Sequence, residues 1–141
     1  MVRRGEGVIV NVGSMARVSP FPHLGVYAAS RAALATVTEV LDMELGPRGV
    51  RVVELALGPV DTPASRENRV LAGADRWLDG RPGIGDAGAA ADAIVAAVED
   101  GARGLAFYPR VLRWVHRLPG LGRRYARRAA RYADLNDESV R

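Results

Sequence analysis

Short β-branched runs alternate with longer stretches of helical spacing along this chain. Residues 8–12, Val-Ile-Val-Asn-Val, predict a buried parallel strand. A loop through Pro20 and Pro22 follows. From about Gly25 to Leu45 the spacing becomes helical. Leu34, Val37, Leu41 and Leu45 form one stripe, with Ala33 and Val40 beside it. Gly46-Pro47 is expected to end that helix. Residues 50–57, VRVVELAL, predict a second strand, broken by Gly58-Pro59. Residues 63–85 are polar and rich in glycine and proline, which predicts a long loop with room for a short helix. Asp86 is placed to cap a helix running to about Asp100. Leu105-Ala-Phe-Tyr predicts a third strand, and two helical pieces follow, split at Pro119-Gly120.

Strand, helix, strand, helix, strand is an α/β order with a parallel sheet. It supplies three strands where an open doubly wound domain has about six. The expected fold is therefore half of such a sheet, roughly three parallel strands with flanking helices.

Composition narrows the options. A chain of 141 residues is one domain at most. No apolar run reaches membrane-spanning length, and the apolar stretch behind Arg3 and Arg4 is short and contains Asn11, unlike a secretory leader. The absence of cysteine excludes disulfides, thiolate nucleophiles and cysteine-ligated zinc, and no metal site is expected. A cytoplasmic location is the default expectation. All 20 basic residues are arginine, a bias of composition. Residues 110–132 hold eight arginines and no acid, while the rest of the chain carries 12 arginines against 16 acids. The net charge of +4 therefore belongs to the C-terminal segment.

Three residues could carry chemistry. Ser14 lies just past the first predicted strand, Tyr27 opens the long helix 13 residues later, and Arg31 follows one turn on, on the same face. Ligands bind at strand ends in open α/β sheets, so the three are expected in one crevice. Phenols ordinarily titrate near ~10, and a close cation favours the phenolate, so such a pair suits proton transfer to or from a carbonyl or alcohol. A serine hydroxyl can hold the substrate oxygen as charge develops, and the hydride must come from a cofactor. Taken singly, each residue has a plainer reading: a turn serine, a half-buried packing tyrosine, a solvated arginine. The joint spacing favours chemistry.

The stretch VIVNVGSMARVSPFPHLGVYAASRAAL resembles the central signature of the short-chain dehydrogenase/reductase family, in which Asn-x-Ser-Ser on a strand precedes Tyr-x-x-x-Lys. The later LGPVDTP is similar to the family's Pro-Gly-Pro-Val-x-Thr turn. The resemblance covers about residues 3–65 well and the rest loosely. It implies the C-terminal half of a Rossmann-like doubly wound parallel sheet, NAD or NADP as cofactor, and hydride transfer to or from a ketone or secondary alcohol. It also implies Ser14 as the residue orienting the substrate oxygen, Tyr27 as the general acid/base, and Arg31 at the position that binds the nicotinamide ribose. Gly58, Val60 (through its backbone) and Thr62 fall on the turn that holds the nicotinamide carboxamide. Asn11 matches a structural asparagine, and residues 63–85 fall where the family has a substrate lid.

Departures from the family pattern are specific. Arg31 stands where the family has lysine, Leu57 where it has proline, and Gly13 where it has the first serine of the pair. Arginine keeps the charge but is bulkier and does not deprotonate. The family's pyrophosphate-binding turn and catalytic asparagine precede this strand, and nothing upstream of residue 8 supplies them. Met1 to Gly7 reads as the tail of a preceding helix, so the chain is expected to be a fragment of a longer enzyme. Gly83-Ile-Gly-Asp-Ala-Gly fits a dinucleotide fingerprint by letters, but a proline-rich loop precedes it and no strand does, so it is expected to be a loop and helix N-terminus.

The expected organisation is a partial NAD(P)-binding catalytic domain over 1–109 and a basic amphipathic helical tail over 110–141. In the tail, Val111, Val115 and Leu118 share one face, and Leu121, Tyr125, Ala129 and Tyr132 another. Packing on the sheet is the first expectation for it. A peripheral membrane contact through residues 110–132 is the second. Nucleic acid is not expected, because no nucleic-acid module is present. The expected partner is a small carbonyl or alcohol substrate, with a homo-oligomer left open. The rival function is a non-catalytic remnant that binds a partner or a membrane.

Overall fold

The structure is a computed structural model that describes residues 1–22, 24–71 and 84–129. Three strands form one parallel sheet in the order β1 (Gly7–Ser14), β2 (Val50–Leu57), β3 (Gly104–Tyr108). Helix α1 (Gly25–Leu45) connects β1 to β2. Helices α2 (Pro63–Leu71) and α3 (Ala87–Glu99) follow β2, and α4 (Leu112–Arg117) and α5 (Pro119–Ala129) follow β3. Short 3-10 turns occupy Val2–Arg4, Met15–Arg17 and Gly46–Arg48.

The central strand holds the core. Val50, Val52, Val53 and Leu55 are essentially fully buried, as a strand covered on both faces and both edges requires. The two faces of β2 do different work. Glu54 and its parity neighbours point toward α1, whose Thr38 bonds Asn11 on β1. Arg51 points the other way. Its guanidinium donates to the carbonyl of Val98 in the last turn of α3 at 2.7 Å and to that of Ala102 in the turn after it at 3.0 Å.

Helix α1 packs through small residues rather than through its apolar stripe. Ala28, Ala35 and Thr38 are its buried positions, whereas Val37 and Val40 are 52% and 43% exposed. Leu34, Leu41 and Leu45 are half-buried. The expected stripe is thus rotated: small side chains let the helix axis approach the sheet closely, and the valines beside them face outward. The helix is followed by a 3-10 turn over Gly46–Arg48, and Gly49 leaves it at φ 79°, in the left-handed region. No other residue fits Gly49, because a Cβ there would overlap the carbonyl of Gly5.

Asp86 caps α3 as its spacing predicts, its carboxylate accepting from the Ala89 N–H at 2.9 Å. The stretch around Gly85 is a loop leading into that helix. Part of the expected loop is helical, since α2 begins directly at Pro63. Residues 72–83 lie outside the described residues, as does Tyr132. Of the face expected for α4, Val111 and Leu118 are exposed and Val115 is half-buried. The contact of α4 with the sheet runs instead through His116, whose ring lies 5.3 Å from that of Phe107 on β3.

Candidate active site

The C-terminal ends of all three strands lie at one edge of the sheet. The ladders close with Ser14 opposite Leu57 and Leu57 opposite Tyr108. Ser14 and the Gly58 turn therefore leave the sheet side by side. The Gly58 N–H donates to the Tyr108 carbonyl at 2.8 Å, extending the β2–β3 pairing by one bond. The turn is tight: a Cβ on Gly58 would come within 2.8 Å of Leu112 on α4.

Ser14 is the last residue of β1, in extended conformation. Its hydroxyl oxygen accepts from the Ala16 N–H at 3.1 Å and caps the Met15–Arg17 turn. That bond occupies a lone pair and leaves the hydroxyl proton to be donated elsewhere.

Tyr27 is the third residue of α1 and is 41% exposed. The Arg31 guanidinium lies over its ring, 4.9 Å from the centroid. Arg31 Nη1 also donates to the Val12 carbonyl at 3.3 Å, two residues before Ser14. Arg31 thus bridges the first turns of α1 and the end of β1. Its Nε is buried without a hydrogen-bond partner among the described residues.

The LGPVDTP turn is held from beside. Val60 forms a parallel bridge with Gly85, in which the Gly85 N–H donates to Pro59 at 2.7 Å and the Asp61 N–H donates to Gly85 at 2.8 Å. Neither bond uses Val60's own backbone N–H or carbonyl. Gly85 is required by close approach, because a Cβ there would meet the Tyr108 ring at 2.6 Å. The Thr62 hydroxyl accepts from Ser65 at 3.1 Å, capping α2, and Asp61 pairs with Arg66 through two bonds of 2.7 and 2.8 Å.

A buried polar group lies beneath this edge. Glu54, mid-strand on β2, is 3% exposed and lies 3.5 Å from Arg17 Nε. Burial pushes its carboxyl above the usual carboxylate range; Arg17 pulls it back and Glu39 adds to the rise. His116 on α4 is pushed below its ordinary value, by burial first, then by Arg17 and Arg117, against an opposing pull from Glu39. The available signal was a lone acid in the otherwise apolar centre of VRVVELAL.

The short chain dehydrogenase family profile matches residues 1–70. Over 65 residues the chain is 40% identical to 3beta-hydroxysteroid dehydrogenase 1 of Eggerthella lenta, covering 46% of this chain and 25% of that protein. Over 66 residues it is 48% identical to dehydrogenase/reductase SDR family member 4 of Bos taurus, covering 47% of this chain and 24% of the relative. A solved short chain dehydrogenase/reductase family protein superposes with TM-score 0.63 at 31% identity, covering 76% of this chain and 46% of that one. A short chain dehydrogenase from Burkholderia cenocepacia, solved in complex with NADP, superposes with TM-score 0.65 at 26% identity, covering 88% and 48%. Residues 1–70 match the short-chain dehydrogenase/reductase family, and the parallel sheet with flanking helices is like part of that family's Rossmann-like fold. The chain spans about a quarter of the length of these curated relatives and under half of these solved ones.

Proposed function

We propose that this chain carries the proton-transfer and nicotinamide-facing part of an oxidoreductase that moves a hydride between NAD or NADP and a ketone or secondary alcohol. One observation carries the reading. Arg31 touches both the Tyr27 ring and the end of β1, so the phenol, the cation and the Ser14 strand share one corner of the sheet. In this mechanism Ser14 donates a hydrogen bond to the substrate oxygen and holds it in place. Tyr27 gives that oxygen a proton in reduction or takes one in oxidation. Arg31 bonds the ribose hydroxyls and fixes the phenol.

The LGPVDTP turn suits a nicotinamide carboxamide. The Gly85 bridge leaves the Val60 backbone N–H and carbonyl out of its two bonds, and an amide group needs one donor and one acceptor. Gly58 keeps the turn close to the sheet, and Thr62 stands at its far end. A bound dinucleotide supplies the hydride at this edge. The choice between NAD and NADP rests on contacts to the 2′ position, which the family makes outside the segment matched here.

The test joins residues 1–141 behind the N-terminal half of the NADP-bound Burkholderia relative and follows nicotinamide absorbance with simple ketones. Ketone-dependent oxidation that is lost in Tyr27→Phe supports the proposal. A chimera that binds NADPH yet oxidises it with no ketone favours the rival, a non-catalytic partner-binding protein, for which arginine at position 31 is the supporting departure. A peripheral membrane contact through residues 110–132 draws support from Trp114, which is 52% exposed between the guanidinium groups of Arg113 and Arg117. Co-sedimentation with phosphatidylserine vesicles tests it. Sedimentation equilibrium tests a homo-oligomer, for which exposed Val26, Val37, Val40 and Met43 on α1 offer an apolar face.

A further inference from the structure

Gly13 and Glu54 fit together as one unit. They lie on adjacent strands and on the same face of the sheet, since Asn11 stands opposite Glu54 and Gly13 is two residues further on. A Cβ built on Gly13 would overlap the Glu54 carboxylate, with Cδ at 2.7 Å and Cγ at 2.8 Å from it. Any side chain at position 13 would need the volume that the carboxylate fills. Gly13 is also one of the positions that departs from the family pattern, which has serine there.

The carboxylate has a partner from the segment after Ser14. Arg17 ends the 3-10 turn that Ser14 caps, and its side chain is 10% exposed against 4% for Glu54. Arg17 Nε and Nη2, Glu54 Oε1 and His116 Nδ1 are all buried without a hydrogen-bond partner among the described residues. A buried pair held at 3.5 Å is costly to desolvate and contributes little net stability. What it does supply is a fixed distance between the central strand and the turn that starts at Ser14.

We propose that Arg17 and Glu54 are positioning residues for Ser14: their ion pair, seated over Gly13, pins the Met15–Arg17 turn to β2 and so fixes the serine hydroxyl at the strand end. This rests on the reading of Ser14 as the group that orients the substrate oxygen. The chain of cause is short. Glu54 fixes Arg17, Arg17 fixes the turn, and the turn's Ala16 N–H fixes the Ser14 oxygen. The groups facing the pair are Glu39 from α1 and His116 from α4, with Arg117 acting on His116. Protonation of Glu54 is therefore expected to loosen the turn, since it removes the charge opposite Arg17.

The test is nuclear magnetic resonance of the 141-residue chain, with no cofactor and no turnover, so its outcome is independent of whether hydride transfer occurs. In the wild type, the Glu54 carboxyl carbon and the Ala16 amide should titrate with one shared midpoint, lying above the ordinary carboxylate range. In Glu54→Gln, hydrogen exchange at Ala16 should speed up at least ten-fold more than at Ala97 on the opposite face of the sheet. A merely structural role would speed both alike. Gly13→Ser should destabilise the chain, and Gly13→Ser combined with Glu54→Ala should recover part of that loss. An Ala16 amide indifferent to Glu54 ionisation overturns the proposal even if every variant fails to fold. Equal exchange effects at Ala16 and Ala97, or additive Gly13 and Glu54 substitutions, overturn it as well.

Discussion

The Asn11 side-chain amide donates to the Thr38 hydroxyl at 2.9 Å, and the same hydroxyl donates to the Leu34 carbonyl at 2.8 Å within its own helix. This relay ties β1 to α1. Ser14 lies three residues beyond Asn11 on the strand, and Tyr27 and Arg31 lie on the preceding turns of the helix that carries Thr38. Thr38 is 1% exposed, so water cannot replace either partner cheaply.

Thr38→Val keeps the shape and removes the oxygen. The Asn11 amide then loses its acceptor. The expected loss is about 1–3 kcal/mol in urea unfolding. A loss below about 0.5 kcal/mol would show that Asn11 finds another partner and that the relay does not hold α1 in register.

Tyr27→Phe separates chemistry from packing. Tyr27 is partly exposed, and phenylalanine keeps the ring under the Arg31 guanidinium. Stability should change by no more than about 0.5 kcal/mol. In the hydride-transferring chimera, turnover should fall by ~100-fold or more while cofactor affinity is retained. Turnover near the wild-type rate removes Tyr27 from the mechanism.

Arg31→Lys tests whether the site has adapted to arginine. The substitution gives up the guanidinium over the Tyr27 ring and the Nη1 that reaches the Val12 carbonyl. The chain should lose about 0.5–1 kcal/mol from the ring contact. Turnover of the chimera should nevertheless rise, because a compact ammonium reaches the ribose and the phenol more directly. A fall in turnover shows that the corner has been rebuilt around the guanidinium.

Acid should weaken the fold through His116. Burial and Arg17 lower its folded value, so between that value and 6.5 the unfolded chain binds more protons than the folded one. This contribution is present above pH 6.5 and is lost as pH falls through the folded value. Glu54 acts with the opposite sign: its raised folded value makes stability fall as pH rises from 4.5 through that value. The difference in urea midpoint between His116→Phe and wild type isolates the histidine. It should shift in favour of the variant as pH drops below 6.5. A difference that stays flat across that range shows His116 to be solvated.

Fold order was legible where one rule dominates locally. The β-branched run at 8–12 and VRVVELAL read as strands; the first is extended at its ends to Gly7–Ser14, and the second spans Val50–Leu57 as expected. The i, i+4 spacing of Tyr27 and Arg31 made their contact readable as well. What could not be read depends on distant partners. Val37 and Val40 are outward-facing because Ala35 and Thr38 set how α1 lies on the sheet, and no helical wheel contains that information. Glu54 meets Arg17 from a 3-10 turn 37 residues earlier, and Gly85 supports Val60 from a stretch that reads as a loop.

Helix α1 joins β1 directly to β2, and every candidate site residue from Ser14 to Thr62 lies on that strand–helix–strand unit or the turn leaving it. The corner is therefore contiguous along the chain as well as in space. A recombination breakpoint beyond Gly85 would exchange α3, β3 and the arginine-rich segment and leave this corner with its lateral bridge intact. A breakpoint inside α1 would divide the Tyr27–Arg31 turn from the Thr38 hydroxyl that anchors it. Homologous exchange among relatives should accordingly be tolerated toward the C-terminus and punished between residues 31 and 38.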